Sequence, residues 1–281
     1  MVWFIYVIVS IVFISFASLF QKVLMKDEES DPVSYSIVFE LLGALMAGAF
    51  AFFKGFEMLP IKAYPLNFLL EAVLYAFASL FTFKALKTIE ASQAVIIAGF
   101  SSVITIIFSA IFLKEVLTFQ RLVGTLLIIV SIIVVSRLKN FSINRGILYA
   151  LGAAACFGLA IVNDTYLLRF SDAVSYTSIA FLLPGILLLL FYPRSVKKFN
   201  SFLKPKVAKN MILLSLFWTV SAIAFYLAIE KGALASQISP ISQSRVILTV
   251  LLAVIFLKER NNLPAKIVAA LMTMTGVLMI K

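Results

Sequence analysis

Long apolar runs, broken at near-regular intervals by short polar gaps, make up almost the whole chain. A helix that crosses a bilayer needs about 20 mainly apolar residues, each rising 1.5 Å. Cutting the runs at charges, Pro and Asn predicts ten such helices. Five fall in the first half, at roughly 2–24, 33–53, 66–86, 91–113 and 118–136. Five follow in the second, at roughly 145–168, 173–192, 210–229, 234–257 and 264–280. The expected class is therefore an all-α, polytopic membrane protein. Connections are short except for 193–209, which is basic and carries Pro193 and Pro205. The first run is longer than a cleavable signal and lacks its basic start, so it reads as a retained span.

The polar positions repeat. Phe81 to Glu115 and Phe225 to Glu259 align without a gap at a constant offset of 144. Ala91-Ser92-Gln93 returns as Ala235-Ser236-Gln237, and Leu113-Lys114-Glu115 as Leu257-Lys258-Glu259. Upstream, Ser30-Asp31 and Val33-Ser34-Tyr35 return as Ser171-Asp172 and Val174-Ser175-Tyr176 at offset 141. The chain thus divides into five-helix repeats at 1–140 and 141–281. With an odd number of spans per repeat, the second enters the membrane from the opposite side. Inverted repeats of this kind build a solute site between them and exchange conformations to alternate access.

Local chemistry agrees with the cuts. Asp31 before Pro32 reads as a helix start, with Asp accepting from orphan N–H groups and Pro at the first helical position. Asp172 reads the same way, so these two acids are caps and not a catalytic pair. Lys114-Glu115 and Lys258-Glu259 read as interfacial charges at tight hairpins.

Composition narrows the function. The chain is 63% hydrophobic with 27 Phe, and only 13% charged. Soluble domains are about 45–50% apolar and about 25% charged, so lipid is the solvent and a partner. The net charge of +11 belongs to loop topology, not to nucleic acid. Loops after odd-numbered spans hold most of the Lys and Arg, and the positive-inside rule would place both termini outside. There is no His, one Cys (Cys156) and no phosphate-binding Gly-rich loop. An enzyme, a metal centre and a cofactor are not expected, and nothing in the sequence specifies an oligomeric state.

Span nine holds the densest polar stretch, Ser236 to Arg245. Pro240 removes a backbone donor and frees a carbonyl one turn back, making it the candidate hinge. Gln237, Ser244 and Arg245 recur at i, i+7 and i+8 and share a helical face. Arg245 lies about 11 residues into the span, roughly 16 Å deep and near the midplane. A central Arg costs at least about 2.5–3.5 kcal/mol, so it faces water, a ligand or a counter-charge. Either it binds an anionic substrate group, or it pairs with Glu40, Glu71 or Asp164. Those acids are the coupling or ion-pair candidates. Ser101, with Ser102, Thr105 and Ser109, is a hydroxyl stripe that serves close packing or ligand contact. Gln243, Asn163, Trp218, Tyr226 and Tyr75 complete the candidate substrate-binding set, with Lys84 a further wall candidate. Lys22 occupies the place matching Asn163, so the two sit at matching depths from opposite membrane faces, and snorkelling explains Lys22 equally well.

The five-plus-five plan, the repeated Phe-Leu-Lys-Glu endings and the Ala-Ser-Gln starts resemble the drug/metabolite transporter superfamily, specifically its EamA-type members. The resemblance spans essentially the whole chain. It implies a ten-helix basket whose cavity is lined mainly by spans 1, 3, 4, 6, 8 and 9, with Glu40 on a peripheral span. It further implies transport of small organic solutes without ATP, in a cell membrane, with both termini cytoplasmic. A Pro is common in the first half of spans four and nine; here Pro240 has only Ile96 as its counterpart. The expected function is secondary transport of a small metabolite, with amino acids or other carboxylates leading. Broad efflux of amphipathic compounds and a lipid-linked-sugar flippase subunit are the alternatives.

Overall fold

The computed structural model describes residues 2–116, 118–136, 144–259 and 263–280. The expected division between residues 140 and 141 lies outside them. The helices are α1 Val2–Met25, α2 Pro32–Lys54, α3 Pro65–Thr88, α4 Ala91–Ala98, α5 Phe100–Phe112 and α6 Phe119–Ser136. The second half supplies α7 Arg145–Leu167, α8 Ala173–Phe191, α9 Pro205–Glu230, α10 Ala235–Ser242, α11 Arg245–Leu252 and α12 Leu263–Ile280. Among the described residues, eight segments have the length and apolarity to cross a bilayer, counting Ala91–Phe112 and Ala235–Leu257 as one each. The 18-residue helices α6 and α12 pack along each other where the remaining two spans were expected. The all-α, two-repeat membrane architecture expected from the apolar pattern is the one found.

Both caps form as the sequence predicts. Asp31 accepts from the Ser34 N–H at 3.0 Å and Asp172 from the Ser175 N–H at 2.8 Å. Burial pushes both carboxyls up. The bonds from Lys198 and Ser34, and from Lys54 and Ser175, outweigh that and hold them below the ordinary range. Their stabilisation is present above the unfolded value of about 3.8 and fades as pH falls through the lower folded one. The basic connection also has structure: Pro193–Leu203 forms a 3₁₀ helix tied to the start of α2 by Lys198–Asp31 at 2.9 Å.

The packing order records a two-fold relation between the halves. α1 packs on α9 and α3 on α7, which are exchanged by the repeat, while α2 packs on α8 and α6 on α12, which are each other's counterparts. Lys54, at the end of α2, meets Asp172, at the start of α8, at 2.7 Å. Counterpart helices therefore run antiparallel, the geometry of inverted repeats.

Small residues set the spacing. A Cβ at Gly158 in α7 would stand 2.6 Å from the Ser101 carbonyl oxygen and 2.7 Å from Ile104 Cβ. Neither can yield, because one is backbone and the other a branch point. Gly158→Ala should therefore cost about 1–3 kcal/mol, read as a lower midpoint of thermal unfolding in detergent. An unchanged midpoint would show that α7 does not pack this tightly on span four.

Candidate functional site: a polar cavity between the repeats

Spans four and nine do not cross the membrane as continuous helices. Span four breaks at Gly99, where the Gly99 N–H bonds to Ile96 O and the Ser102 N–H to Gly99 O. Span nine breaks at Gln243-Ser244, where Gln243 bonds back to Pro240 O and Ser244 to Ile241 O. All four are i→i−3 bonds, a short 3₁₀ tightening of the kind that marks functional hinges. Gly99 and Gln243 stand at the repeat offset of 144. Pro240 lies within α10, before the break, and span four breaks at the same register with no proline. The discontinuity is thus a property of the repeat.

The breaks border a central cavity of about 120 Å³. Of the expected site residues, Arg245, Gln243, Ser101, Trp218, Tyr226, Tyr75 and Glu40 line it. Glu40 corrects the expectation from the resemblance, since α2 and α8 reach the wall through Phe39, Glu40, Ala180 and Phe181. Gln237, Ser244, Asn163, Glu71, Asp164 and Pro240 are not among the lining residues. For Gln237 and Ser244 the reason is physical: the continuous helical face they were to share with Arg245 is interrupted at Gln243-Ser244. Asn163 instead pairs with Asn67, accepting from its side-chain amide at 2.8 Å and donating to its carbonyl at 3.0 Å. Lys84 sits over the Tyr149 ring at 5.2 Å.

Arg245 forms no ion pair or hydrogen bond among the described residues, and its Nε is buried without a partner. The pairing with Glu40, Glu71 or Asp164 is not made. Gln243 donates to Ser101 Oγ at 2.9 Å, joining the two breaks, and its own Oε1 has no partner among the described residues. The rest of the hydroxyl stripe divides by role. Ser102 and Thr105 meet Ser239 at 3.4 and 3.2 Å, and Thr105 also donates to Gly158 O, so these pack the spans together. Trp218 lies between Phe39 and Phe157, at 5.4 and 6.2 Å, as an aromatic wall.

Asp164 accepts hydrogen bonds from Tyr75 at 2.5 Å, Tyr176 at 2.7 Å and Tyr226 at 3.1 Å. Tyr176 escaped the sequence reading because an aromatic in an apolar helix carries no signal of its partner. Gln21, Ser79, Thr82 and Ser221 on the cavity wall escaped because an isolated polar residue in an apolar run does not show which way it faces.

The repeated motifs meet each other. Glu115 accepts from the N–H groups of Ala235 and Ser236 at 3.1 and 3.0 Å. Glu259 accepts from those of Ala91 and Ser92 at 2.9 and 3.0 Å, and from Ser92 Oγ at 2.7 Å. Each carboxylate caps the helix that opens the opposite repeat's counterpart span. This corrects the reading of both glutamates as hairpin charges at a lipid–water boundary. Lys114 and Lys258, the non-glycine residues with positive φ among those described (57° and 58°), turn the chain so that the glutamates reach across. Lys22 needs correction as well: its Nζ donates to the carbonyls of Leu86 and Ile89, both at 2.7 Å, closing the C-terminal end of α3. Snorkelling does not describe it.

Antiparallel counterpart helices, broken spans and a central cavity with buried polar groups on its wall define a membrane transporter built from inverted repeats. The model of the EamA-like transporter family matches residues 1–137 and 144–281, and the chain belongs to that family, within the drug/metabolite transporter superfamily. It is a multi-pass integral membrane protein. A solved structure described only as the crystal structure of a protein is similar to it, with a TM-score of 0.71 at 15% identity, covering 98% of this chain and 94% of that one. That likeness concerns the fold. No curated protein matches significantly.

Proposed function

We propose that the protein is a secondary transporter of a small zwitterionic solute, an amino acid being the leading class, moved by alternating access across the cell membrane. The observation that carries this reading is the unpaired guanidinium of Arg245 on the cavity wall. A charge at that depth is tolerable when it faces water or a ligand, and an arginine fork suits a carboxylate. Glu40 lines the same cavity without pairing with Arg245, so one wall offers an acid where a substrate ammonium would sit. Trp218 and Phe157 supply apolar cover for a side chain.

Size supports a small solute over bulky amphipathic compounds. The cavity of about 120 Å³ is near the roughly 150 Å³ that admits a benzene ring.

The test is ligand stabilisation of the purified protein by amino acids, their amides and their N-acetyl derivatives. At 100 times its dissociation constant a ligand adds about 2.7 kcal/mol, worth about 5 °C or more in a chain of this size. Free amino acids should raise the melting temperature, while amides and N-acetyl forms should raise it far less. Equal shifts from all three sets, or none, would overturn the zwitterion assignment.

A further inference from the structure

The carboxyl of Glu71 is wholly buried, and neither of its oxygens has a hydrogen-bond partner among the described residues. It does not line the cavity, so substrate binding does not explain it. Its surroundings follow from helix geometry. Asn67, Glu71 and Tyr75 succeed one another at intervals of four on one face of α3. Asn67 is bonded to Asn163 and Tyr75 to Asp164, on adjacent positions of α7. Glu71 lies between these two contacts and so faces the Asn163-Asp164 end of α7. The titratable groups facing it are Asp164 from α7, Tyr176 from α8, Tyr226 from α9 and, from α2, Glu40; within α3 there is Tyr75. No cation is among these described groups.

We propose that Glu71 and Asp164 form a proton-carrying site that couples proton movement to transport; the coupling rests on the transport reading above. A buried carboxylate with neither a counter-charge nor a donor is untenable in low dielectric, so Glu71 holds a proton. Asp164, with Tyr75 and Tyr176 donating to it and the one Tyr226 proton shared between it and Tyr75, is equipped to carry the negative charge. For a proton to pass, the Glu71 O–H bond breaks and one on Asp164 forms while the charge moves the other way. The two carboxyls are not hydrogen-bonded in this arrangement, so transfer requires α3 to shift against α7.

A route to the cavity exists. The Tyr226 hydroxyl donates to that of Tyr75 at 2.9 Å, Tyr75 donates to Asp164, and both tyrosines line the cavity. The site also spans the repeats, since α3 belongs to the first while α7, α8 and α9 belong to the second. Protonating Asp164 turns one of its oxygens into a donor and removes the charge that strengthens the tyrosine bonds joining these four helices, and so biases the position of one half against the other. The feature is one-sided. At the repeat offset of 144, Glu71 and Tyr75 are replaced by Ser215 and Thr219.

Two measurements on the full chain test this. Infrared spectra of the reconstituted protein should show a protonated-carboxyl C=O band at neutral pH that is lost in Glu71→Gln and whose titration is altered in Asp164→Asn. A wild-type protein without the band, or a band unchanged in Glu71→Gln, overturns the proposal. In proteoliposomes given a one-unit pH gradient and a radiolabelled mixture of the twenty amino acids, wild type should accumulate label about tenfold, the limit for one proton per solute. Glu71→Gln should bring label only to equal concentrations. Accumulation by Glu71→Gln, or wild-type equilibration indifferent to the gradient, also overturns it. Failure of any label to enter wild-type vesicles counts against the amino-acid reading, and the infrared result then decides the proton site alone.

Discussion

Arg245→Gln should lower uptake by about 100-fold while leaving the yield of folded protein intact. A charge-assisted bond to a substrate carboxylate contributes about 1.5–3 kcal/mol, and a bidentate one lies at or above the upper end. Each 1.4 kcal/mol is a factor of ten. Arg245→Lys keeps the charge but loses the fork, so about a tenfold loss is expected. The stability readout separates this from a structural role. Arg245 makes no hydrogen bond or ion pair among the described residues, so its replacement strands no buried carboxylate. Removing an uncompensated charge from the bilayer interior should leave the ligand-free melting temperature unchanged or raise it. A lower melting temperature with poor folded yield would show that Arg245 holds the helices together and would remove the main support for an anionic substrate group.

Glu259→Ala should destabilise the protein more than Glu115→Ala. Loss of the Glu259 carboxylate leaves two backbone N–H groups and the Ser92 hydroxyl without their acceptor in a buried setting. At about 1–3 kcal/mol for each orphaned buried group, the total comes to about 3 kcal/mol or more. Glu115 is half-buried and serves two donors, so water replaces it more readily and about 1–2 kcal/mol is expected. Thermal unfolding in detergent reads both. A double-mutant cycle with Ser92→Ala isolates the direct bond, because coupled partners depart from additivity. Equal losses, or an additive Glu259/Ser92 pair, would mean the two caps do not differ as their burial requires. The two caps join opposite ends of spans four and nine, so each membrane face has one link between the repeats. The more buried of the two marks the face at which the halves are more firmly joined.

The origin of the caps shows where sequence reading stops. Both the Ala-Ser-Gln starts and the Leu-Lys-Glu endings stood out as repeats, yet nothing in either motif says that one binds the other. The glutamate–serine pairs are 167 and 121 residues apart in the chain. Their meeting depends on two antiparallel spans lying end to end. Arg245 shows the same limit from another side. Its depth was legible from counting residues, whereas its freedom from Glu40, Glu71 and Asp164 depends on which helix neighbours which. Glu40 makes the same point, since the resemblance implied a peripheral span for it and only the packed structure brings Phe39 and Glu40 to the cavity wall.

The apolar run lengths, the repeat offset and the odd number of spans per repeat determined the class of fold, the inversion and the capped starts of α2 and α8. These are local or periodic properties, and lipid enforces them directly because every backbone group must be satisfied within its own span. The tertiary structure alone decided which polar groups share the cavity, that Asp164 is held by three tyrosines, and that Glu71 stands without a partner. Those outcomes depend on helix rotation and neighbour choice. In an apolar solvent the hydrophobic pattern does not encode them, because nearly every face of every helix is equally greasy.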